Sequence, residues 1–565
     1  MSIAPFTPES QKSIVSPQAN ERTSISSGFN WKLVVWSALF GIGLSVVISL
    51  SQWSQGEQAR LLFIGLDGMR FYLATALAVV VGFVLALIYI RPSCRSLSMF
   101  CGGVFVLCYG VSQLLRVDGY YGNRTPRVTW IWSPKAEQGI KTYLTSRKSN
   151  DKVTATSEVF LPTDHDFNEL LGEKRTARID RIGIAADWQA NPPKLLWRHP
   201  VGLGWSGFAI VGHAAVNLEQ RDENECVVCY DVRTGAELWC HAELARFPHE
   251  YGDGPRSTPT IRNGRVFSMG GTGIVTCVDF ATGELIWKQS VFADSKTQNL
   301  IFGMSGSPLV IQDLVIVTPG AGLGAATIAY SAKTGDEVWR SGDDQASYAS
   351  PTAATLCGQT QILSFNGAGL RSYGLDGKEL WLQPWITQGE SRVNVAQPIL
   401  LGQGDIDQPW SGNDDTESWA KILISSGYDK GTALLKVSHD DTGWKSEILW
   451  ESDQLKSKLS NLVVHRNFAY GLDNGILTCI DLANGERMWK RGRYGHGKIL
   501  LVRDKLLVQS ESGEVVLVKA TPDSLVELAK FEALSSKTWN NLALAGDIVV
   551  VRNDREAAAV KLPVE

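Results

Sequence analysis

CVDFATGELIW, residues 277–287, reads as the closing hairpin of a small sheet. The residues before Asp279 alternate apolar and small, as in a half-buried strand. Thr282-Gly283 supplies a tight turn, because glycine tolerates positive φ. The strand that follows ends in Trp287. Three further copies align without gaps: CYDVRTGAELW at 229–239, AYSAKTGDEVW at 329–339 and CIDLANGERMW at 479–489. SYGLDGKELW at 372–381 is one residue shorter in the turn. Degenerate copies end at Trp450 (SEILW) and near Leu528 (SLVELAK).

These copies set a period. Trp197, Trp239, Trp287, Trp339, Trp381, Trp450 and Trp489 are separated by 42, 48, 52, 42, 69 and 39 residues. A period of ~40–50 residues with this composition is that of a four-stranded propeller blade, here with one large insertion. A buried Trp removes ~150–250 Å² from water, roughly 4–6 kcal/mol before entropy at ~25 cal/mol/Å². One ring per blade, wedged between neighbouring sheets, is the expected structural dock.

The two ends of the repeat region complement each other. The last segment, TWNNLALAGDIVVVRNDREAAAVKLP, supplies three strands and no terminal Trp strand. The strand KLLWRHP around Trp197 stands alone before the first full unit and is expected to complete that last sheet. Such pairing removes open edges that would otherwise aggregate. The count gives an all-β, eight-bladed β-propeller over residues 191–565. It falls to seven blades if one degenerate copy forms none.

Upstream the composition changes. Residues 1–30 are rich in Ser, Thr, Gln and Pro and are expected to form a disordered tail. Residues 31–116 hold three apolar runs at 31–51, 71–90 and 97–115, with a single charge, Lys32, near one end of the first. Each matches the ~20 residues that cross ~30 Å of hydrocarbon. A mid-span charge would cost ~2.5–3.5 kcal/mol, so its absence from all three predicts transmembrane helices. With the N-terminus cytoplasmic, five basic residues fall inside and six outside, so charge does not set the orientation. Residues 117–190 read as a polar connector, with one short amphipathic helix near 166–174 and otherwise extended. The net charge of −4 gives no reason to expect nucleic acid.

The A-x-D-x-x-T-G-x-x-x-W pattern resembles the tryptophan-docking repeat of the pyrroloquinoline-quinone (PQQ) propeller superfamily. That superfamily includes quinoprotein alcohol dehydrogenases and the propeller lipoprotein of the outer-membrane barrel-assembly machinery. The blocks PPKLLWRHPVGLGWSGFAIVG, GPRSTPT, GMSGSPL, RVNVAQP, GRYGHG and VRNDRE look like those of bacterial membrane-anchored PQQ-like propeller proteins. The resemblance implies a bacterial inner-membrane protein with a periplasmic propeller. The PQQ dehydrogenases of the superfamily set an adjacent Cys-Cys disulfide against the quinone and hold Ca²⁺ with Glu, Asn and Asp beside a catalytic Asp. This chain has no Cys-Cys pair and no C-x-x-C-H for haem, since Cys226-Val-Val-Cys229 is followed by Tyr230. It also lacks the long inserts that roof the cofactor. No cofactor is therefore expected, and neither PQQ nor Ca²⁺ is supported by the residues.

Cys229, Cys277 and Cys479 share one repeat position, which Ala329 and Ser372 occupy elsewhere. They read as small packing residues, and no metal site is expected. In a propeller, the links from one blade's outer strand to the next blade's inner strand lie on the same face as the middle-strand links. Here they carry Trp205, Ser206, Arg256, Ser305, Tyr348, Arg392, Asn394, Gln397, Tyr428, Asp429, Arg493, Tyr494, His496, Trp539, Asn540 and Arg555. All should converge on one mouth of the central channel, as a ligand site does. The arginines would favour carboxylate or phosphate. His213 falls in a strand of the first blade, and His241, His249 and His465 fall in turns or outer strands. No residue is assigned a catalytic role. The sequence thus suggests a binding or scaffold module at the cell envelope, taking an envelope protein or a small anionic or polar ligand. The alternative is a quinoprotein-like oxidoreductase working at the same mouth.

Overall fold

The computed structural model describes residues 114–122, 125–147, 157–320, 324–388, 392–401 and 418–565, with residues 103, 107 and 111. The expected tail and the apolar runs at 31–51 and 71–90 lie outside the described residues, as does most of the run at 97–115. Among the described residues no helix is long and apolar enough to cross a membrane. Leu115, the expected end of the third run, opens a strand instead: β1 (Leu115–Tyr120), which pairs with β2 (Pro126–Trp130). Val117–Glu565 forms one compact unit.

Eight four-stranded antiparallel sheets follow in chain order: blade 1 at 209–244, blade 2 at 260–290, blade 3 at 309–341, blade 4 at 352–384, blade 5 at 399–452, blade 6 at 463–493, blade 7 at 498–532 and blade 8 at 543–561. The Trp step of 69 residues falls on blade 5, which carries the large insertion. In every blade the pairing of the last two strands shifts by one residue at the same place, opposite the docking position: Cys277 faces Trp287, Cys229 faces Trp239, Ala329 faces Trp339 and Cys479 faces Trp489. A bulge there tightens the twist. It also explains the small side chains at that position, which are fully buried under the ring.

The docking tryptophans join neighbouring blades. Trp239 Nε1 donates to the carbonyl of Phe280 in the next blade at 2.9 Å, Trp287 to Ala332 at 3.1 Å and Trp339 to Leu375 at 2.8 Å. Trp450 reaches Leu482, Trp489 reaches Thr521, and Trp197 reaches Val232. Each of the first three rings lies on the turn glycine of the following blade. Gly283, at φ 74°, would place a Cβ 2.6 Å from the Trp239 ring. The glycine therefore serves both the turn and the dock. Trp381 departs from the pattern: its indole N–H donates to Gln361 of its own blade. The neighbouring blade 5 has a longer hairpin there, with no glycine in register, and the buried Trp385 reaches across to Ser426 instead.

Strand β4 (Lys194–Pro200, counting β3 as Arg178–Ile179) is the outer strand of blade 8, with Trp197 opposite Ala559. The fully buried Arg552 reinforces this closure, donating to the carbonyls of Leu218 (2.9 Å) and Gly202 (3.0 Å) in and before blade 1.

Residues 117–190 differ from the expected extended connector. A helix, α1, spans Ala136–Arg147, and Tyr143 stacks on His199 with centroids 4.5 Å apart. No helix forms at 166–174. Phe167 bridges Ile210, a 3-10 turn covers Glu173–Arg175, and Leu171, Lys174, Arg175 and Ala177 all have positive φ. Phe167, Leu170 and Leu171 have helical spacing, but each is buried in the propeller core, which outweighs a surface helix of this length. The backbone at these positive φ angles delivers Arg175 to the links that lead into blades 3 and 4. There it donates to the carbonyls of Ser307 (3.1 Å), Pro308 (2.6 Å) and Pro351 (2.7 Å) and pairs with Glu169 at 2.9 Å. β3 then joins blade 7 as a fifth strand, parallel to its innermost strand.

Candidate binding site at the channel mouth

The links between blades bring an arc of aromatic rings together. Trp539 lies 4.9 Å from Trp205 and 6.1 Å from Tyr251; Tyr251 lies 6.1 Å from Phe302, and Phe302 5.7 Å from Tyr348. His249, expected in a turn or an outer strand, belongs to this arc, 5.2 Å from Phe302. Arg256 lies over the Phe247 ring at 4.8 Å and donates to the carbonyls of Gly254 and Gly252.

The β1–β2 hairpin covers the arc. Lys537, buried between the faces of Trp539 (4.3 Å) and Trp205 (4.8 Å), donates to the carbonyls of Tyr120 and Tyr251, each at 2.7 Å. Glu511 accepts from Gly122 N (2.9 Å), Trp539 Nε1 (2.8 Å) and His496 N (3.1 Å). Gly122 lies so close to the His496 ring that a Cβ there would overlap it. Arg127 pairs with Asp554 at 2.9 Å and donates to Ser536 and to the carbonyl of Asp118.

This packing governs protonation. Burial pushes Lys537 down to about 7, against the pull of Asp554 and Glu511. The two indole faces and two carbonyls favour its charged form. Burial lowers His249 to about 4, and its Nδ1 accepts from Tyr251 N. His496 is lowered by burial too, against Glu511. Burial opposes ionisation of Asp554, but Arg127 and Arg555 outweigh it and hold the carboxyl below its usual range.

The sixteen residues singled out from sequence divide. Trp205, Arg256, Tyr348, His496, Trp539 and Arg555 belong to the mouth, with Arg555 beside Asp554 and 3.9 Å from Asp118. Tyr428 has Lys458 5.4 Å from its ring, and Asp429 pairs with Lys456 at 3.6 Å. Ser206, Asn394, Gln397 and Asn540 are buried joints between blades: Asn394 Nδ2 donates to the carbonyl of Asn366, and Asn540 Nδ2 to that of Ser206. Ser305 turns back to the carbonyl of Gly303. Tyr494 is buried against Glu527, while Arg392 and Arg493 are exposed. The sequence reading passed over Lys537, Glu511, Arg127, Tyr251 and Phe302. Lys537 and Tyr251 sit within a few residues of chosen links, and a search for buried cations beside tryptophans would have flagged Lys537.

A quinone held with a divalent cation does not fit these residues. The carboxylates at the mouth are already engaged, Glu511 by three protein donors and Asp554 by two arginines. Among the described residues no group of three or more His, Cys, Asp or Glu is placed to hold a metal ion.

Eight blades, inter-blade tryptophan docks and a strand-exchange closure define a closed eight-bladed β-propeller. A family profile described as outer membrane protein assembly factor BamB matches residues 223–491, slightly under half the chain, so the repeat region is similar to that family. No curated protein matches. Among solved structures, a quinohemoprotein alcohol dehydrogenase from Comamonas testosteroni aligns over 70% of this chain and 80% of its own, at 12% identity and a TM-score of 0.47. BamB from Moraxella catarrhalis aligns over 64% and 83%, at 15% identity and 0.31. The computationally designed Ika8 protein aligns over 66% and 99%, at 11% identity and 0.44.

Proposed function

We propose that this protein is a recognition scaffold of the bacterial cell envelope, held in the inner membrane by its apolar runs with the propeller in the periplasm. The observation that carries the reading is that the chain's own hairpin engages the ionisable groups of the mouth through Lys537, Glu511 and Asp554. The surface left for a partner is the rim. Leu285, Ile286, Val338, Ile448, Leu449 and Met488 are exposed on the outermost strands of blades 2, 3, 5 and 6. Such strands present an open edge to which an extended protein segment can add, with apolar side chains to grip it.

A second reading places a small polar or anionic ligand beneath the hairpin. Trp205 Nε1, both polar atoms of the Asn366 amide, Asn540 Oδ1 and Asn553 Nδ2 are buried without a protein partner, and such atoms call for water or a ligand. One experiment separates the two. A photo-cross-linking amino acid at Val338 or Met488 in intact cells should give a discrete protein adduct. No adduct from the rim, together with a small molecule that co-purifies and is lost in Arg256→Ala, would replace the scaffold reading with the second one.

A further inference from the structure

The hairpin that covers the mouth leaves an apolar surface bare. Val128 is 47% exposed, Trp130 43%, Ile131 47% and Trp132 63%, and the two indoles stack at 5.0 Å with their planes 5° apart. Residues 128–132 (VTWIW) carry no charge, and the adjacent Arg127 is turned inward to Asp554. Two stacked tryptophans and two aliphatic side chains on one short segment are a costly surface to leave in water.

The geometry of the hairpin says what would cover them. β1 and β2 pair and are joined by a short turn closed by Tyr121 N on the carbonyl of Thr125, so they run antiparallel. The turn end, with Tyr120 and Gly122, is fixed to the mouth. Leu115 opens β1 and Trp130 closes β2. Leu115 is the last residue of the third uncharged apolar run. The described residues leading to it, Leu107, Val111 and Leu114, are themselves exposed. In the chain, Trp130 and Trp132 follow the end of that apolar run by fifteen and seventeen residues, with one hairpin between. In a membrane protein the residues just beyond a spanning segment meet the headgroup layer, where indole rings concentrate because they are apolar in body and polar at one edge.

We propose that Val128, Trp130, Ile131 and Trp132 form a membrane-interface anchor that enters the headgroup layer of a phospholipid bilayer. The inference rests on the reading that the apolar runs span that bilayer, and its test keeps the two apart. The full-length protein is reconstituted in phosphatidylcholine vesicles with a fluorescent amino acid at position 132, at position 244 on the outer strand of blade 1, or at position 80 within the second apolar run. Lipids brominated high on the acyl chain should quench position 132 at least about twofold and leave position 244 almost unchanged, as expected of a residue in an aromatic belt. Lipids brominated deep on the chain should quench position 80. Quenching at 80 without quenching at 132 overturns the anchor and leaves the spanning runs intact. No quenching at 80 overturns the spanning reading itself. Equal quenching at 132 and 244 shows non-specific adsorption and also rejects the anchor, as does a protein cross-linked to position 132 in place of lipid.

Discussion

Arg175→Met removes the cation that ties the N-terminal segment into the propeller. The guanidinium pairs with Glu169 at 2.9 Å and donates to the carbonyls of Ser307, Pro308 and Pro351, which belong to the approaches to blades 3 and 4. Both charged partners are buried. Methionine fills much of the volume but leaves the Glu169 carboxylate unpaired and three carbonyls without their donor. Breaking a buried pair from one side costs about 3–5 kcal/mol. For a unit of this size, unfolding entropy converts each kcal/mol into roughly 1 °C, so the apparent Tm should fall by about 3–5 °C. Adding Glu169→Gln to Arg175→Met removes the stranded charge and should return ~1–2 kcal/mol of the loss. Thermal unfolding of the detergent-solubilised protein, with wild type, both single variants and the double variant side by side, reads the cycle. A single variant within about 1 °C of wild type, or a double variant no better than Arg175→Met, would show that the segment is not clamped through this pair.

Trp287→Ala should cost roughly 3–5 kcal/mol, as other large aromatic truncations in cores do, measured by denaturant unfolding; a loss below about 1 kcal/mol would disprove the docking role. Deleting only Lys194–Val201 takes away β4 and opens the edge of blade 8 while keeping the packed segment before it, so that variant should aggregate where the full-length chain does not, as light scattering will report. His249 has a folded pKa of about 4, below the ~6.5 of an unfolded histidine. Between those values the unfolded chain takes up the proton and the folded chain does not, so stability contributed here is lost as pH falls from about 6.5 to 4. His249→Phe keeps the ring contacts with Phe302 and Tyr251, and its Tm should drop less than that of wild type over that range; parallel curves would contradict the assignment.

The fold was largely legible because the repeat carries its own physics. The Trp register, the turn glycines and the unpaired strand at Trp197 each have a counterpart in the structure, down to Trp197 opposite Ala559. Trp381 escaped because its neighbour's turn had degenerated, and sequence spacing does not reveal which carbonyl an indole N–H will find. The site was legible as a place more than as a set of contacts. Propeller topology points to the links that carry Trp205, Arg256, Tyr348, His496, Trp539 and Arg555. It does not say that Asn394 and Asn540 turn inward to join blades, nor that a hairpin upstream by several hundred residues lies over Lys537. The segment at 157–190 was misread for a related reason. Its polar composition hides a few apolar residues and one arginine that gain more from the propeller's gaps than from a local helix.

Amide hydrogen exchange across residues 115–130 of the full-length protein tests most directly whether the mouth is closed by the chain's own hairpin. With Gly122 N on Glu511 and the carbonyl of Tyr120 on Lys537, this segment should exchange far more slowly than an unprotected chain. Glu511→Gln with Lys537→Met should release it while the blades stay protected. Exchange at the unprotected rate in the wild-type protein would show that the hairpin does not cover the mouth, and the scaffold reading would lose its main support.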